Sequence, residues 1–471
     1  MSKNFYITTT LPYVNADPHV GFAMEIIHAD VIARFKKAQG YDVFFNTGTD
    51  EHGQKVYEKA LTEKKDPQAY CDLFAARFQD LKKVLNLSED IHFIRTTDES
   101  HKKAAQEFWK LCEKAGDIYK KEYKIRYCVG CELEKTDSEL VDGFCPIHPD
   151  KPLQITEEEN YFFKFSKYGE KLLDLYAKKL DFVIPAYRLN EMKAFIERGL
   201  EDFSISRLTK KMSWGVPVPG DPDHVMYVWF DALVNYVSTI GWPHDMKSFE
   251  KYWPVVQFAG KDQVRQQAAM WQAMLMSADI SPTQTIVIHG FITVDGQKMS
   301  KSIGNVINPL DLVNEYGVDV VRYYVCRELN QFEDSDFSME KFKDAYNAHL
   351  ANGLGNLVSR IMKMVTLYGV TIELSSSKIS ENSSLETYEV KKAADEIWTR
   401  ITSLDAFIQK EEPFKKIKVD KAAAEKDIQY LGRELSSVAH NLLPFMPTTA
   451  QTIIDLIKEN KMPEKPLFLR K

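Results

Sequence analysis

The chain has no apolar run near the ~18–20 residues that a membrane-spanning helix needs, and its start carries no apolar core like that of a secretory signal. A soluble, cytoplasmic protein without membrane association is expected. Cysteine is scarce: six in 471 residues, too few for a disulfide framework in a chain this long. Positive charge is not in excess either. The net charge of −7 excludes a globally basic nucleic-acid coat, but a local basic face could still bind RNA. No internal repeat is visible. What remains is an ordinary globular balance, 44% hydrophobic and 27% charged, which excludes a disordered chain, a collagen and a coiled coil. The length exceeds one ordinary domain of ~100–200 residues, so two to four domains are expected.

Residues 5–10 read as a short strand, and 12–18 as a loop. From 19 to 39 apolar residues recur at helical spacing (Ile26, Ile27, Val31, Ile32, Phe35), with Gly40 as a stop. A second strand at 42–46, a helical stretch after Pro67, a strand near 92–94 and a helix over 98–114 follow. This alternation argues for a parallel α/β sheet. It breaks over 115–228, which holds a cysteine cluster, an acidic run at 157–159 and a Pro/Gly-rich stretch at 216–222, and reads as an insertion. Alternation returns from Trp229, with a helix at 262–276 and a strand at 285–288. After about Asn308 strand signals fade, and long helical patterns at 339–367, 385–408 and 422–443 predict an all-α C-terminal region.

Three clusters carry chemistry. Pro18-His19-Val20-Gly21-Phe22 lies between the first strand and first helix, where free N–H groups and the helix dipole favour phosphate. Gly21 permits close approach to the backbone, and His19 can donate to phosphate oxygens; an ordinary turn would look the same. Lys298-Met299-Ser300-Lys301-Ser302, flanked by Gly296 and Gly304, offers two lysines in a mobile loop. Such a clamp suits charge building on a leaving pyrophosphate, although a solvated Lys/Ser loop shares the pattern. Cys128-x-x-Cys131 is followed by Cys145-x-x-His148. Two such hooks supply four soft ligands for one tetrahedral Zn²⁺, all from protein, so a structural site is expected. Cys71, Cys112 and Cys326 sit alone in helical patterns and read as packing residues.

The His-x-Gly-x turn with Lys-Met-Ser-Lys-Ser about 280 residues later resembles the paired signature of class I aminoacyl-tRNA synthetases. Over nearly its whole length the chain is similar to the methionyl-tRNA synthetase family, through TTLPYVN (9–15), NTGTDEHGQK (46–55), WGVPVP (214–219), VMYVWFDAL (225–233), AGKD (259–262) and HGFITV (289–294). The ~115-residue insertion is too short for the editing domain of related synthetases, and methionine's distinct shape could make one unnecessary. The resemblance implies a Rossmann-type catalytic domain in two halves (1–114 and 229–307), split by a zinc-binding connective insertion (115–228) with a single knuckle. A linker or stem-contact region (308–345) and an α-helical anticodon-binding domain (346–471) would follow.

The resemblance also implies roles. Leu11, Tyr13, Asp50, Trp229, Ala232, Leu233, Tyr236 and, weakly, Gln267 would form the methionine site, with Asp50 accepting the substrate ammonium. His19, Gly21, Phe22, Gly260, Asp262, His289, Lys298, Ser300 and Lys301 would bind ATP. His19, Lys298, Lys301 and Arg207 would be the catalytic set. Asn356 and Arg360, four apart on one helix face, and Phe414 would read the anticodon of tRNA(Met) by hydrogen bonding and stacking. Lys415, Lys416, Lys418 and Lys421 lie beside Phe414 and could meet phosphates, or simply form a solvated loop. Mg²⁺ would arrive with ATP. Three positions depart from the family: Phe22 replaces a second motif histidine, Gln267 replaces a pocket histidine, and Phe414 replaces a stacking tryptophan. An RNA-binding paralogue without chemistry, or a synthetase for another amino acid, are the contrasting readings. No basic or β-rich tail follows the helical region, so a monomer is expected.

Overall fold

The computed structural model describes residues 3–131, 133–135, 139–294, 296–299, 304–372 and 382–471. Six parallel strands form the central sheet, in the order His92–Arg95, Asp42–Thr49, Asn4–Thr8, Val256–Gly260, Thr285–His289, Val183–Ile184. Their runs (FYIT, VQFA, TIVI) are apolar on both faces, as strands covered by helices on each side must be. The strand order reverses between Asn4–Thr8 and Val256–Gly260. Ligands of doubly wound sheets bind beyond the carboxyl ends of the strands at such a switch point.

The stretch 115–228 does not stay apart from the sheet. It leaves as a long antiparallel pair, Ile118–Cys128 against Gln154–Phe163, with the cysteine cluster at its far end. It then returns through Val183–Ile184, which becomes the sheet's edge. A two-residue strand has no periodicity to read, so the sequence does not announce it.

After 308 helices dominate, as expected, with one exception among the described residues. Ser335–Phe337 pairs parallel with Ile292–Val294, which pairs antiparallel with Gln297–Lys298. This small sheet holds the start of the Lys-Met-Ser-Lys-Ser segment. The C-terminal region contains Met339–Ala345 running through a π-helical stretch into Asn356–Tyr368, then Val390–Glu411 and Lys421–Leu442. A further helix, Pro447–Glu459, was not expected, although it buries Ala450, Ile453, Ile454 and Ile457 at regular helical spacing.

One apolar core runs from the sheet and its first helix (Ile7, Ile27, Phe35) through Tyr324 to Leu431 and Leu442. The opposite face of the sheet packs a second core around Phe108, Trp109, Phe230 and Trp271. At the junction of catalytic and helical regions Arg322 is completely buried. It donates to Asp30 at 2.8 Å and to the carbonyls of Phe445 and Pro444 at 2.8 and 2.7 Å. Cys71, Cys112 and Cys326 are free and buried.

Candidate active site

The first helix, Val20–Ala38, starts at the switch point with His19 as its N-cap. His19 Nδ1 accepts the Gly21 N–H at 3.1 Å, which satisfies one of the unpaired donors of the first turn. A Cβ on residue 21 would stand 2.9 Å from His19 Cε1, so glycine lets the imidazole cover the helix end. A cavity of about 510 Å³ opens here. Tyr13, His19, Gly21, Phe22, Trp229, Gly260, Asp262 and His289, from five separate sequence segments, all reach its wall. Phe22 stands edge-on to Phe78 with ring centres 5.5 Å apart, so an apolar contact occupies the place of the family's second histidine.

A residue at this wall that carries much of its geometry, Glu25, escaped the sequence reading. Glu25 is buried in the first helix, where its Oε1 accepts the Thr10 N–H and Oγ1 hydroxyl, both at 2.7 Å. Its Oε2 meets His289 Nε2 at 2.6 Å, and His289 Nδ1 lies 2.8 Å from the Gly290 carbonyl. Burial disfavours the imidazolium, but Glu25, the Gly290 carbonyl and Asp262 outweigh it and hold the His289 pKa above the ordinary histidine value. The signal was present: Glu25 is the single acid in the otherwise apolar run FAMEII.

On the other side of the cavity Tyr13 and Asp50 are bridged by backbone pairing, with the Asp50 N–H donating to the Pro12 carbonyl at 3.0 Å. Trp229 meets Tyr13 edge-on at 6.3 Å. Leu11, Asp50, Ala232, Leu233 and Tyr236 are buried just behind this surface. Tyr6 donates its hydroxyl to the Tyr236 carbonyl at 2.9 Å, fixing that turn against the first strand. Gln267 is buried too. Its Oε1 accepts from Gln257 Nε2 at 3.1 Å, in a network that includes Gln272 and Thr283. The neighbouring Gln266 lines the cavity instead, at the start of a π-helical turn, Gln266–Met270.

Arg207 is placed elsewhere. Its guanidinium lies 4.4 Å over the Tyr227 ring and 5.2 Å over Tyr127, and Nη1 donates to Ser204 Oγ and the Ser206 carbonyl at 2.8 Å each. It lines a separate cavity of about 250 Å³ and not the one that His19 lines. Aromatic partners brought together by folding decide that position, and sequence spacing carries no sign of them. Of the lysine clamp, the backbone of Lys298 lies in the small sheet and Met299 reaches the cavity wall. Ser300 and Lys301 lie outside the described residues.

Cys128, Cys131, Cys145 and His148 converge, with their donor atoms all within 4.8 Å of one another. Cys131 Sγ is 3.4 Å from Cys145 Sγ and 3.3 Å from His148 Nδ1. A Cβ on Gly130 would lie 2.3 Å from the His148 ring, so only glycine leaves room for that ligand. Three thiolates and one imidazole are a donor set that could hold a zinc ion. The lobe is not remote. Gly130, Cys131, Ile147 and His148 form part of the cavity wall, and Arg265 pairs with Glu139 to tie it down.

In the helical region Asn356 is exposed and Arg360 half-buried on one face of Asn356–Tyr368. Arg360 reaches Asp405 on Val390–Glu411, the helix that leads into Phe414. Phe414 is 39% exposed, enough to offer a stacking face. Three of the nearby lysines have carboxylate neighbours: Lys415 pairs with Glu412, Lys416 with Glu411 and Asp427, and Lys421 with Glu425. Such surface pairs are weak and exchangeable.

The family model described as "tRNA synthetases class I (M)" matches residues 5–152 and 137–362. The chain is 41% identical to the methionine–tRNA ligase of Thermotoga maritima, covering 98% of this chain and 76% of that one. It is 42% identical to that of Thermosynechococcus vestitus, over 96% and 90%. The solved Mycobacterium tuberculosis methionyl-tRNA synthetase in complex with methionyl-adenylate superposes with a TM-score of 0.91 at 38% identity, covering 96% of this chain and 94% of that one. With the switch-point cavity, the His19 turn and the helical C-terminal region, these matches show that the chain belongs to the class I aminoacyl-tRNA synthetases, in the methionine–tRNA ligase family.

Proposed function

We propose that this enzyme activates L-methionine with ATP and transfers it to tRNA(Met). The carrying observation is the juxtaposition, in one cavity, of the His19–Gly21 helix start with Asp262 and His289 on one side and the Tyr13–Trp229 pair on the other. The first group suits a nucleotide, and the second a polarizable thioether. The methionine carboxylate attacks the α-phosphate. The bond to the β-phosphate breaks, and pyrophosphate leaves with its electron pair. A ribose hydroxyl of the terminal adenosine then attacks the activated carbonyl, AMP departs, and the hydroxyl proton is lost.

No protein nucleophile is needed, so catalysis is positioning and electrostatic stabilisation. Asp50 holds the ammonium, while Leu11, Tyr13, Trp229, Ala232, Leu233 and Tyr236 enclose the side chain. Gln267 acts from behind Tyr236. Gly21, Phe22, Gly260, Asp262 and His289 hold the nucleotide, with Glu25 fixing His289. His19, Lys298, Ser300 and Lys301 meet the phosphates, and Mg²⁺ enters as part of the ATP complex. Cys128, Cys131, Cys145 and His148 would hold one Zn²⁺, which closes the knuckle and takes no part in bond making. Asn356, Arg360 and Phe414 read the anticodon.

Pyrophosphate exchange with ATP, scanned across the twenty amino acids, tests this reading. Exchange with methionine alone is expected. Silence with every amino acid would leave an RNA-binding paralogue, a reading to which Phe22 and Gln267 lend some support. Exchange with a different amino acid would reassign the pocket.

A further inference from the structure

The motifs NTGTDEHGQK and VMYVWFDAL contain two residues that the roles above leave unused. Asp231 is completely buried, and its two carboxylate oxygens face two imidazoles. His52 Nδ1 lies 2.5 Å from Oδ2, and His101 Nε2 lies 2.9 Å from Oδ1. A carboxylate can only accept, so both imidazoles donate. His101 Nδ1 then stands 3.0 Å from Ser238 Oγ, which continues the chain. Burial works against the Asp231 carboxylate, yet the two imidazoles outweigh it and lower its pKa to about 2. Asp231 and the two histidines lie outside the walls of the two cavities described above.

The placement of these groups is specific. His52 is two residues from Asp50. Asp231 lies between Trp229 and Ala232, and Ser238 is two residues beyond Tyr236. Thus one buried carboxylate joins the two walls proposed to grip methionine, and anchors both to the helix Glu99–Lys114 through His101. The loop is also pinned from its other side. Glu51, between Asp50 and His52, accepts Arg95 in a bidentate pair at 2.7 and 2.8 Å. Trp214 donates to the Glu51 carbonyl at 2.6 Å and packs against His52 with ring centres 5.5 Å apart. A buried charge is a costly way to fill a core that an apolar residue of similar size would fill. What it adds is direction: two hydrogen bonds at fixed angles that tie three elements to one carboxylate.

We propose that Asp231 is a positioning residue for the amino-acid pocket, setting the separation of Asp50 from the Trp229–Tyr236 turn through His52 and His101. This rests on the methionine reading above. The test is methionine-dependent pyrophosphate exchange by the full chain, as wild type, Asp231→Asn, His101→Ala and His101→Gln, with KM measured separately for methionine and ATP. Wild-type silence would sink the methionine reading itself. Given wild-type activity, Asp231→Asn is expected to raise the methionine KM ~10–100-fold, with ATP KM within ~2-fold and kcat within ~3-fold. His101→Ala should follow it, whereas His101→Gln, whose amide can still donate to Asp231, should stay within ~3-fold of wild type. An unchanged methionine KM in Asp231→Asn, an equal rise in both KM values, or a fall in kcat alone overturns the proposal. If Asp231→Asn does not fold, the two His101 variants decide: the same methionine KM in both overturns it.

Discussion

The cysteine lobe and the helical C-terminal region hold themselves together by opposite means. In the lobe the large apolar side chains face water: Val141 is 61% exposed, Phe144 46%, Ile147 46% and Ile155 59%, while Cys128 and Cys145 are 1% and 0%. In Lys421–Leu442 the reverse holds, with Leu431, Leu435, Val438 and Leu442 all at 0%. A lobe of a few tens of residues cannot bury enough surface to offset its chain entropy. Its cohesion would rest on the four donor atoms that could hold a zinc ion. The helices spread theirs over many side chains, each contributing ~1.5–3 kcal/mol. The lesson is one of failure modes: the lobe should collapse all at once when a single ligand goes, and the bundle should weaken by degrees.

The sharpest break is metal removal. If the four donors hold zinc as proposed, chelation or Cys145→Ala should remove it, and with it a contribution on the order of 10 kcal/mol to the lobe's own folding. Because the lobe forms part of the cavity wall, methionine-dependent exchange should fall at least ~100-fold. Amide protection in Lys421–Leu442 should persist. Coincident loss of protection in both regions would show that they are not separate. Next comes the junction. Arg322→Met leaves Asp30 buried with Arg34 and the Ser88 donors but without its buried guanidinium, and should cost ~3–5 kcal/mol in urea unfolding. Burial alone would raise the Asp30 pKa, but Arg322 and Arg34 hold it below the ordinary carboxylate value. That stabilisation is present above the ordinary carboxylate range and is lost as pH falls through the folded value. The variant's stability should therefore decline less steeply in acid.

Within the bundle, Leu435→Ala should cost ~2–5 kcal/mol. Phe144→Ser in the lobe should change stability by less than ~0.5 kcal/mol, despite its larger ring. Similar costs for both would erase the contrast. A pH-dependent effect lies in the core that the sheet shares with the bundle. Burial lowers the His28 pKa to about 4, against a hydrogen bond to the Val325 carbonyl. Below about 6.5 the unfolded chain binds a proton that folded His28 refuses until about 4. Stability should therefore fall across that window as pH drops, by on the order of 2–3 kcal/mol. His28→Gln should flatten the decline, as read from Tm against pH.

Much of the architecture was legible because it is local or periodic. The first helix follows from Ile26, Ile27, Val31, Ile32 and Phe35 at helical spacing. The four metal donors follow from two short hooks, because ligands a few residues apart can hardly avoid meeting. The cavity was legible only as far as the paired motifs reach. Glu25 was visible as a lone acid in an apolar run but was passed over. Arg207 was carried to the nucleotide by resemblance, whereas Tyr127 and Tyr227 hold it in a second cavity. The strands Val183–Ile184 and Ser335–Phe337 are too short to show alternation, yet one closes the edge of the sheet and the other supports the segment of the lysine clamp.

By itself the sequence determined most of the periodic elements, four candidate metal donors and the family. Each of these rests on spacing along the chain, and spacing survives without folding. The tertiary structure alone decided which of the named residues share a cavity, that the insertion returns to the sheet, and that Asp231 meets two histidines from distant segments. Those contacts depend on strand order and on how helices pack across the switch point. Long-range packing of that kind leaves no periodic trace in the residues it brings together.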